Sequence, residues 1–539
     1  MTDLHVTVAG PARDAADRHV PRLVSDGVAS GVRRQDPDLW GPGARQEAAV
    51  RLGWVAAHER SRELVEPITR LREELRAEGV DRVLLCGMGG SSLAPEVITA
   101  TAGVPLTVLD STDPDQVRRA LAERPEATVV VVSSKSGTTV ETDSQRRAAE
   151  AALRQAGVDP ARRLVVVTDP GSRLEQTARD GGYRAVFLAD PDVGGRYSAL
   201  TAFGLVPAGL AGADVAALLD EAAAADPLLS ADTPDNPALR LGAALGGTDP
   251  LRDKVVLVDA GAGLPGFGDW AEQLLAESTG KQGTGLLPVV VGPGAPELDD
   301  PADDLLVVHL EPGGGGGLAG TDPGPAHVGT GGPLGAQLLL WEYATAVAGR
   351  LLGVNPFDQP DVESAKQAAR GLLDSRSAPA PPALTEDGVE VRGSGGLLDG
   401  VEDLDGALAA LLSRLDTERG YLAVMAYVDR EGGTGLDAVR DALAARTGRP
   451  VTFGYGPRFL HSTGQYHKGG PATGCYLQVT SGVPEDLPVP GLPFTFGELI
   501  AAQAAGDADV LAAAGRPVLR LHATTPAALD RVRTLLGGG

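Results

Sequence analysis

The chain has 539 residues, too many for one ordinary core, so two or three domains are expected. A formal net charge of -25 disfavours nucleic acid and anionic membranes as partners and requires any phosphate site to be a local pocket. With only Cys86 and Cys475, neither a disulfide framework nor a thiolate metal site is expected.

Residues 1–43 read as a partly irregular N-terminal segment. It has no apolar signal region, and no later stretch is long enough to span a bilayer, so the expected compartment is the cytoplasm. Residues 44–80 carry apolar positions at helical spacing. Short apolar runs at Arg82–Cys86, Pro105–Leu109, Thr128–Ser133, Leu164–Thr168 and Ala185–Leu188 then alternate with helical patterns such as Glu141–Gln155. That alternation predicts a parallel sheet covered on both faces, in a first domain over 44–235. A second cycle over 236–374 has strands at Lys254–Asp259, Leu287–Val291 and Leu305–His309. A Gly/Pro-rich loop running to Pro333 follows, then a long helix, Leu334–Leu352. Residues 375–386 read as a Pro/Ala linker. Residues 387–539 form a smaller α/β region with strands near Tyr421–Val428, Val451–Gly454, Tyr476–Thr480 and Val518–His522.

Two loops between strand and helix carry anion-binding chemistry. Gly87-Met88-Gly89-Gly90-Ser91-Ser92 allows a sharp turn and a close backbone approach to a ligand. A dinucleotide fold could use a similar loop, but the fingerprint spacing and the ribose-binding acid are missing. Ser133-Ser134-Lys135-Ser136-Gly137-Thr138-Thr139 sets five hydroxyls and one ammonium at a helix start. A helix cap needs one or two hydroxyls, so this run reads as a nest for a phosphate dianion. The order of a nucleoside-triphosphate P-loop is absent. Farther along, Gln273 and Glu277 are four residues apart and share a helical face. A glutamate in so apolar a turn can have a raised pKa and act as a base. Glu272 is expected on another face, in water.

Gly89-Gly90-Ser91 together with Ser134-Lys135-Ser136-Gly137-Thr138-Thr139 resembles the sugar isomerase (SIS) domain, and more specifically the glucose-6-phosphate isomerase family. Gly194-Gly195-Arg196-Tyr197-Ser198, Gln273-Leu274-Leu275-Ala276-Glu277-Ser278-Thr279-Gly280-Lys281 and Asn355-Pro356-Phe357-Asp358-Gln359-Pro360 through Lys366 extend the likeness. It implies an α/β architecture of two doubly wound parallel-sheet SIS-type domains, with the smaller C-terminal region added. By the resemblance, Ser134, Lys135, Ser136 and Thr139 hold the substrate phosphate. Gly90, Ser91 and Gln273 line the sugar, Glu277 shuttles the proton, Arg196 faces the reacting carbons and Lys366 reaches the ring.

The family also uses a histidine to open the pyranose, normally placed between the glutamate and lysine segments. His309 and His327 stand there without the family's surrounding residues. His461-Ser462-Thr463-Gly464-Gln465 matches that motif but follows the lysine, as in the isomerase half of actinobacterial transaldolase–isomerase fusions. His461 is the candidate ring-opening residue. Its late position leaves open whether it acts in its own chain or, as is common in dimeric members, across an interface. No carboxylate cluster makes a metal site with His461 and His467. The implied reaction interconverts glucose 6-phosphate and fructose 6-phosphate through a cis-enediol, with no metal or organic cofactor, a small sugar phosphate as ligand, and a homodimer as an open alternative to the single chain. A mannose-6-phosphate or dual-specificity isomerase, a non-catalytic sugar-phosphate sensor and, more remotely, a nicotinamide dehydrogenase are the alternative readings.

Overall fold

A computed structural model describes residues 3–314, 326–375 and 381–537, with the side chains of 362–366 and 374–375 left out. The strands are β1 (His5–Ala9), β2 (Arg82–Gly87), β3 (Thr107–Leu109), β4 (Thr128–Ser133), β5 (Leu164–Thr168), β6 (Ala185–Leu188), β7 (Lys254–Asp259) and β8 (Leu287–Val291). They continue as β9 (Leu305–Glu311), β10 (His327–Gly331), β11 (Leu384–Glu386), β12 (Val389–Gly393), β13 (Tyr421–Tyr427), β14 (Val451–Tyr455), β15 (Gly474–Ser481) and β16 (Val518–Ala523). The first sheet, in the order β3-β2-β4-β5-β6, is parallel throughout. Its strands are apolar runs because helices cover both faces.

The second sheet, β1-β10-β9-β7-β8, is parallel except for β1, which runs antiparallel at the edge. Neither β1 nor β10 is expected from the sequence. The β10 stretch, His-Val-Gly-Thr-Gly, lies in the stretch read as a flexible loop. Its glycines exist for contact rather than for flexibility. A Cβ on Gly331 would stand 2.3 Å from the His5 ring, and one on Gly329 2.5 Å from Thr7 Oγ1. Only bare backbone lets β1 lie alongside. Residues 315–325 of that loop are outside the described residues, as are 376–380 of the expected linker. Residues 384–386, assigned by composition to the linker, form β11 instead. Asp387 and Gly388, both at positive φ, turn it into β12 as a two-residue hairpin.

In the third sheet, β11-β12-β16-β15-β13-β14, the pairs β11–β12 and β12–β16 are antiparallel and the remaining pairs parallel. Period-two alternation gives the second and third sheets a common interior. Val255 and Leu257 face the core shared with the first sheet, while Val256 and Val258 face another core. That second core also contains Tyr421, Ala423 and Met425 from β13, whose alternate residues Leu422 and Val424 turn to an outer core. The C-terminal region is therefore fused to the second sheet through apolar burial.

Met425 is 1% exposed in this shared interior. Met425→Ala should cost roughly 2–5 kcal/mol and lower the melting temperature of the whole chain in one calorimetric transition. A separate early transition confined to the C-terminal region would show that the two sheets do not share a core.

Candidate active site

Gly87 and Ser133 are register partners on β2 and β4, so the two anion-type loops leave adjacent strands at the same level. Gly89–Ser91 forms a single 3-10 turn. A Cβ on Gly90 would lie 2.0 Å from the carbonyl oxygen of Gly195, so the loop meets the Gly194–Arg196 segment backbone to backbone. One on Gly89 would lie 2.7 Å from Gln273 Nε2 and 2.9 Å from the carbonyl of His461. Three segments remote in sequence thus converge on one glycine pair.

In the second loop Gly137 N–H donates to Ser134 Oγ at 3.2 Å, Ser134 Oγ to Thr139 Oγ1 at 3.4 Å, and Thr138 N–H to Ser136 Oγ at 3.3 Å. The hydroxyls shape the loop around itself. Thr139 occupies the N-cap of the helix Val140–Gln155 but makes no side-chain cap, so the first-turn amides have no side-chain acceptor at that position. Lys135 Nζ is 2.6 Å from Asp169 and 3.3 Å from the carbonyl of Pro191. Burial raises the Asp169 carboxyl against the opposing pull of Lys135.

The helix Phe267–Thr279 buries Gln273 and Glu277 on one face. Gln273 Nε2 donates to Glu277 Oε2 at 3.4 Å, while its Oε1 is buried without a hydrogen-bond partner among the described residues. Arg196 Nη1 lies 3.7 Å from Glu277 Oε2. That guanidinium is 4% exposed and donates to Ser278 Oγ, Gln359 Oε1 and the carbonyls of Pro356 and Asp358, all at 2.8–2.9 Å. Most of its donors are thus spent on holding the Asn355–Pro360 segment. Its effect at Glu277 is the field of a nearby buried cation. Lys281 joins the same clamp, donating at 2.7 Å to the Asn355 and Asp358 carbonyls and to Asp358 Oδ1. Burial pushes its ammonium down to about 8. Lys366 belongs to the helix Val362–Ser375, but its side chain lies outside the described residues.

His461 closes a 3-10 turn, Arg458–His461, in the C-terminal region of the same chain. Arg458 ties that turn to the first domain through ion pairs with Asp110 at 2.5 Å and Glu96 at 2.6 Å. His461 Nε2 meets Glu141 Oε1 at 3.2 Å. Gln465 bonds Gly280 O at 2.8 Å and Asp361 Oδ2 at 2.6 Å, so the histidine and lysine segments dock together. His467 points elsewhere, to Tyr421 OH at 3.0 Å, and its burial keeps the imidazole neutral. His309 and His327 face each other at 3.1 Å on β9 and β10. Among the described residues one group of metal-ligand type, His58, Glu59 and Asp226, lies together, and Arg33 already bonds both carboxylates.

Two residues depart from expectation. Glu141 stands inside the phosphate-loop motif, yet its role as partner of His461 appears only in three dimensions. Glu272 is not a solvated bystander. It accepts from Ser462 Oγ at 2.9 Å, fastening the histidine segment to its helix, and its enclosed carboxyl is pushed up to about 8 by burial, with Asp269 adding to the effect.

A carboxyl with a raised folded-state pKa keeps a proton that the unfolded chain releases. Its contribution is therefore full below pH 4.5 and is lost as pH rises through about 8. Glu272→Gln removes that loss, so its melting temperature relative to the parent should climb between pH 5 and 8. A pH-independent difference would place the Glu272 carboxyl in water.

The phosphoglucose isomerase family model matches residues 55–246. A probable glucose-6-phosphate isomerase from Natronomonas pharaonis is 32% identical over 344 residues, covering 54% of this chain and 79% of that protein. A glucose-6-phosphate isomerase from Rubrobacter xylanophilus is 32% identical over 373 residues, covering 57% and 86%. Among solved structures, a hypothetical protein from Thermus thermophilus superposes with a TM-score of 0.57 at 26% identity, covering 68% of this chain and 99% of that one. With its SIS-type sheets and two such relatives covered over most of their length, this chain belongs to the glucose-6-phosphate isomerase family.

Proposed function

We propose that this chain interconverts glucose 6-phosphate and fructose 6-phosphate where the first two sheets and the C-terminal region meet. The observation that carries this reading is the meeting, within one chain, of Glu277, Arg196 and Gln273 with the His461 turn across Gly89 and Gly90. The phosphate is held by Ser134, Lys135, Ser136 and Thr139, with the uncapped helix start adding its dipole. Lys135 exchanges Asp169 for the arriving dianion. Anchoring the phosphate then lets binding energy orient the reacting carbons.

His461 and Lys366 move protons between the ring oxygen and the first-carbon or second-carbon oxygen, opening the pyranose. Glu141 holds the imidazole and stabilises its protonated form. Glu277 takes the proton from C2 and returns it to C1. The buried Arg196 cation stabilises the enediolate charge between those steps. Gly90 and Ser91 line the sugar, and the unmatched Oε1 of Gln273 accepts from one of its hydroxyls.

The site of action is the cytoplasm. Among the described residues no helix is long and apolar enough to cross a membrane. A homodimer is compatible with this arrangement, but His461 reaches Glu141 without a second subunit.

Glu277→Gln should lower kcat roughly 10²–10⁴-fold with little change in sugar-phosphate binding. His461→Ala should impair closed-ring glucose 6-phosphate far more than an open-chain sugar phosphate. A coupled assay for fructose 6-phosphate conversion checks both. Full turnover by Glu277→Gln removes it as the base, and equal losses on both substrates remove His461 from ring opening.

A further inference from the structure

We propose that Gln503, on the helix Phe496–Ala513 of the C-terminal region, is a positioning residue that orients Glu141 against His461 and thereby sets the imidazole's proton affinity. This rests on the reading of His461 as the ring-opening group. Gln503 is 3% exposed and bridges two domains. Its Nε2 donates to Glu141 Oε1 at 2.7 Å, the same oxygen that His461 Nε2 meets at 3.2 Å. Its Oε1 accepts from Thr112 Oγ1, also at 2.7 Å, in the first domain, where Thr112 is fully buried.

Chemistry leaves this amide one orientation. An ionised carboxylate only accepts, so the NH2 end must face Glu141, and the carbonyl end then takes the Thr112 hydroxyl. A charge-assisted bond of this kind favours the ionised carboxylate and fixes the oxygen that the histidine shares. One turn along the same helix Asp507 pairs with Lys468 at 2.6 Å, seven residues after His461. The same helix therefore also holds the short helix that follows His461.

Among the described residues, the other charged groups around the pair are already committed. Glu272 binds Ser462, and Arg458 binds Glu96 and Asp110 with Asp269 at 3.5 Å. Tyr427 lies near Glu141, and Glu277 sits with Gln273 across Gly89. The amide of Gln503 is a neutral donor on the very oxygen that His461 shares, so its replacement by a carboxylate changes the charge next to the pair.

The test is NMR titration of the His461 ring in the full chain with labelled histidine, the resonance being assigned from His461→Ala. Gln503→Glu brings a second carboxylate against Glu141 and should raise the His461 pKa by about one unit, because added negative charge favours imidazolium. The acid limb of kcat on glucose 6-phosphate should move up with it. Gln503→Leu should lower kcat on the closed-ring sugar about tenfold while sparing KM and open-chain turnover. Thr112→Val, which frees the far end of the amide, is the second variant should the buried glutamate unfold the chain. A His461 titration unchanged from the parent in the folded variants overturns the proposal. A ring-selective defect in His461→Ala alongside that result would leave the ring-opening reading standing. Equal losses in His461→Ala on both substrates would overturn that reading and, with it, the catalytic consequence assigned to Gln503.

Discussion

The buried guanidinium of Arg196 is the constraint on which the site depends. It sits next to the Gly90–Gly195 backbone contact, bonds to Ser278 on the helix that presents Glu277, and holds the Asn355–Pro360 segment by two carbonyls and an amide. Removing it would take away the buried cation 3.7 Å from Glu277 and the donor that the Pro356 carbonyl and the Gln359 side-chain amide share. One residue thus couples the electrostatics of the candidate base to the packing of three segments. Lys281 repeats the clamp from the end of the same helix.

Packing brings the late histidine, His461, to the candidate site. In chain order His461 follows the lysine segment by almost a hundred residues. In space it lies against Gly89 because the third sheet shares its interior with the second and because Arg458 is pulled onto Asp110 and Glu96. An active site needs a set of positions, and any route of the chain that delivers the same side chains serves. Here the route brings in a further helix, and with it Gln503 and Asp507.

The acidic balance of the chain is compatible with the proposed phosphate site because the candidate site's cations are local, Lys135 half-buried and the others enclosed. Lys135 is poised on Asp169, Arg196 and Lys281 are almost fully enclosed, and Arg458 is saturated by carboxylates. At low dielectric each acts over a few ångströms, whereas the exposed acids are screened by water and salt.

The apolar runs of β2, β4, β5, β7 and β9 and the length of the helix Leu334–Leu352 were legible, because a strand or helix buried on all sides needs a local pattern that states its period. The hydroxyl-rich loop Ser134–Thr139 and the spacing of Gln273 and Glu277 were legible for the same reason: adjacent residues make the geometry. The Asp387-Gly388 hairpin carried a turn signal that its short, polar strands concealed. Other features belong to the tertiary structure alone. His-Val-Gly-Thr-Gly is a strand only because β1 lies against it, and Glu272 is raised because tertiary burial, with Asp269 adding to it, disfavours its charge, while the hydrogen bond from Ser462, 190 residues away, works the other way. Glu141 meets His461 and Gln503 across 320 and 362 residues, distances over which a sequence holds no geometric record. Local periodicity and loop chemistry decided which elements and anion-binding groups exist. The fold's long-range contacts decided which of those groups share a desolvated space, since burial and proton affinity are set by neighbours in three dimensions.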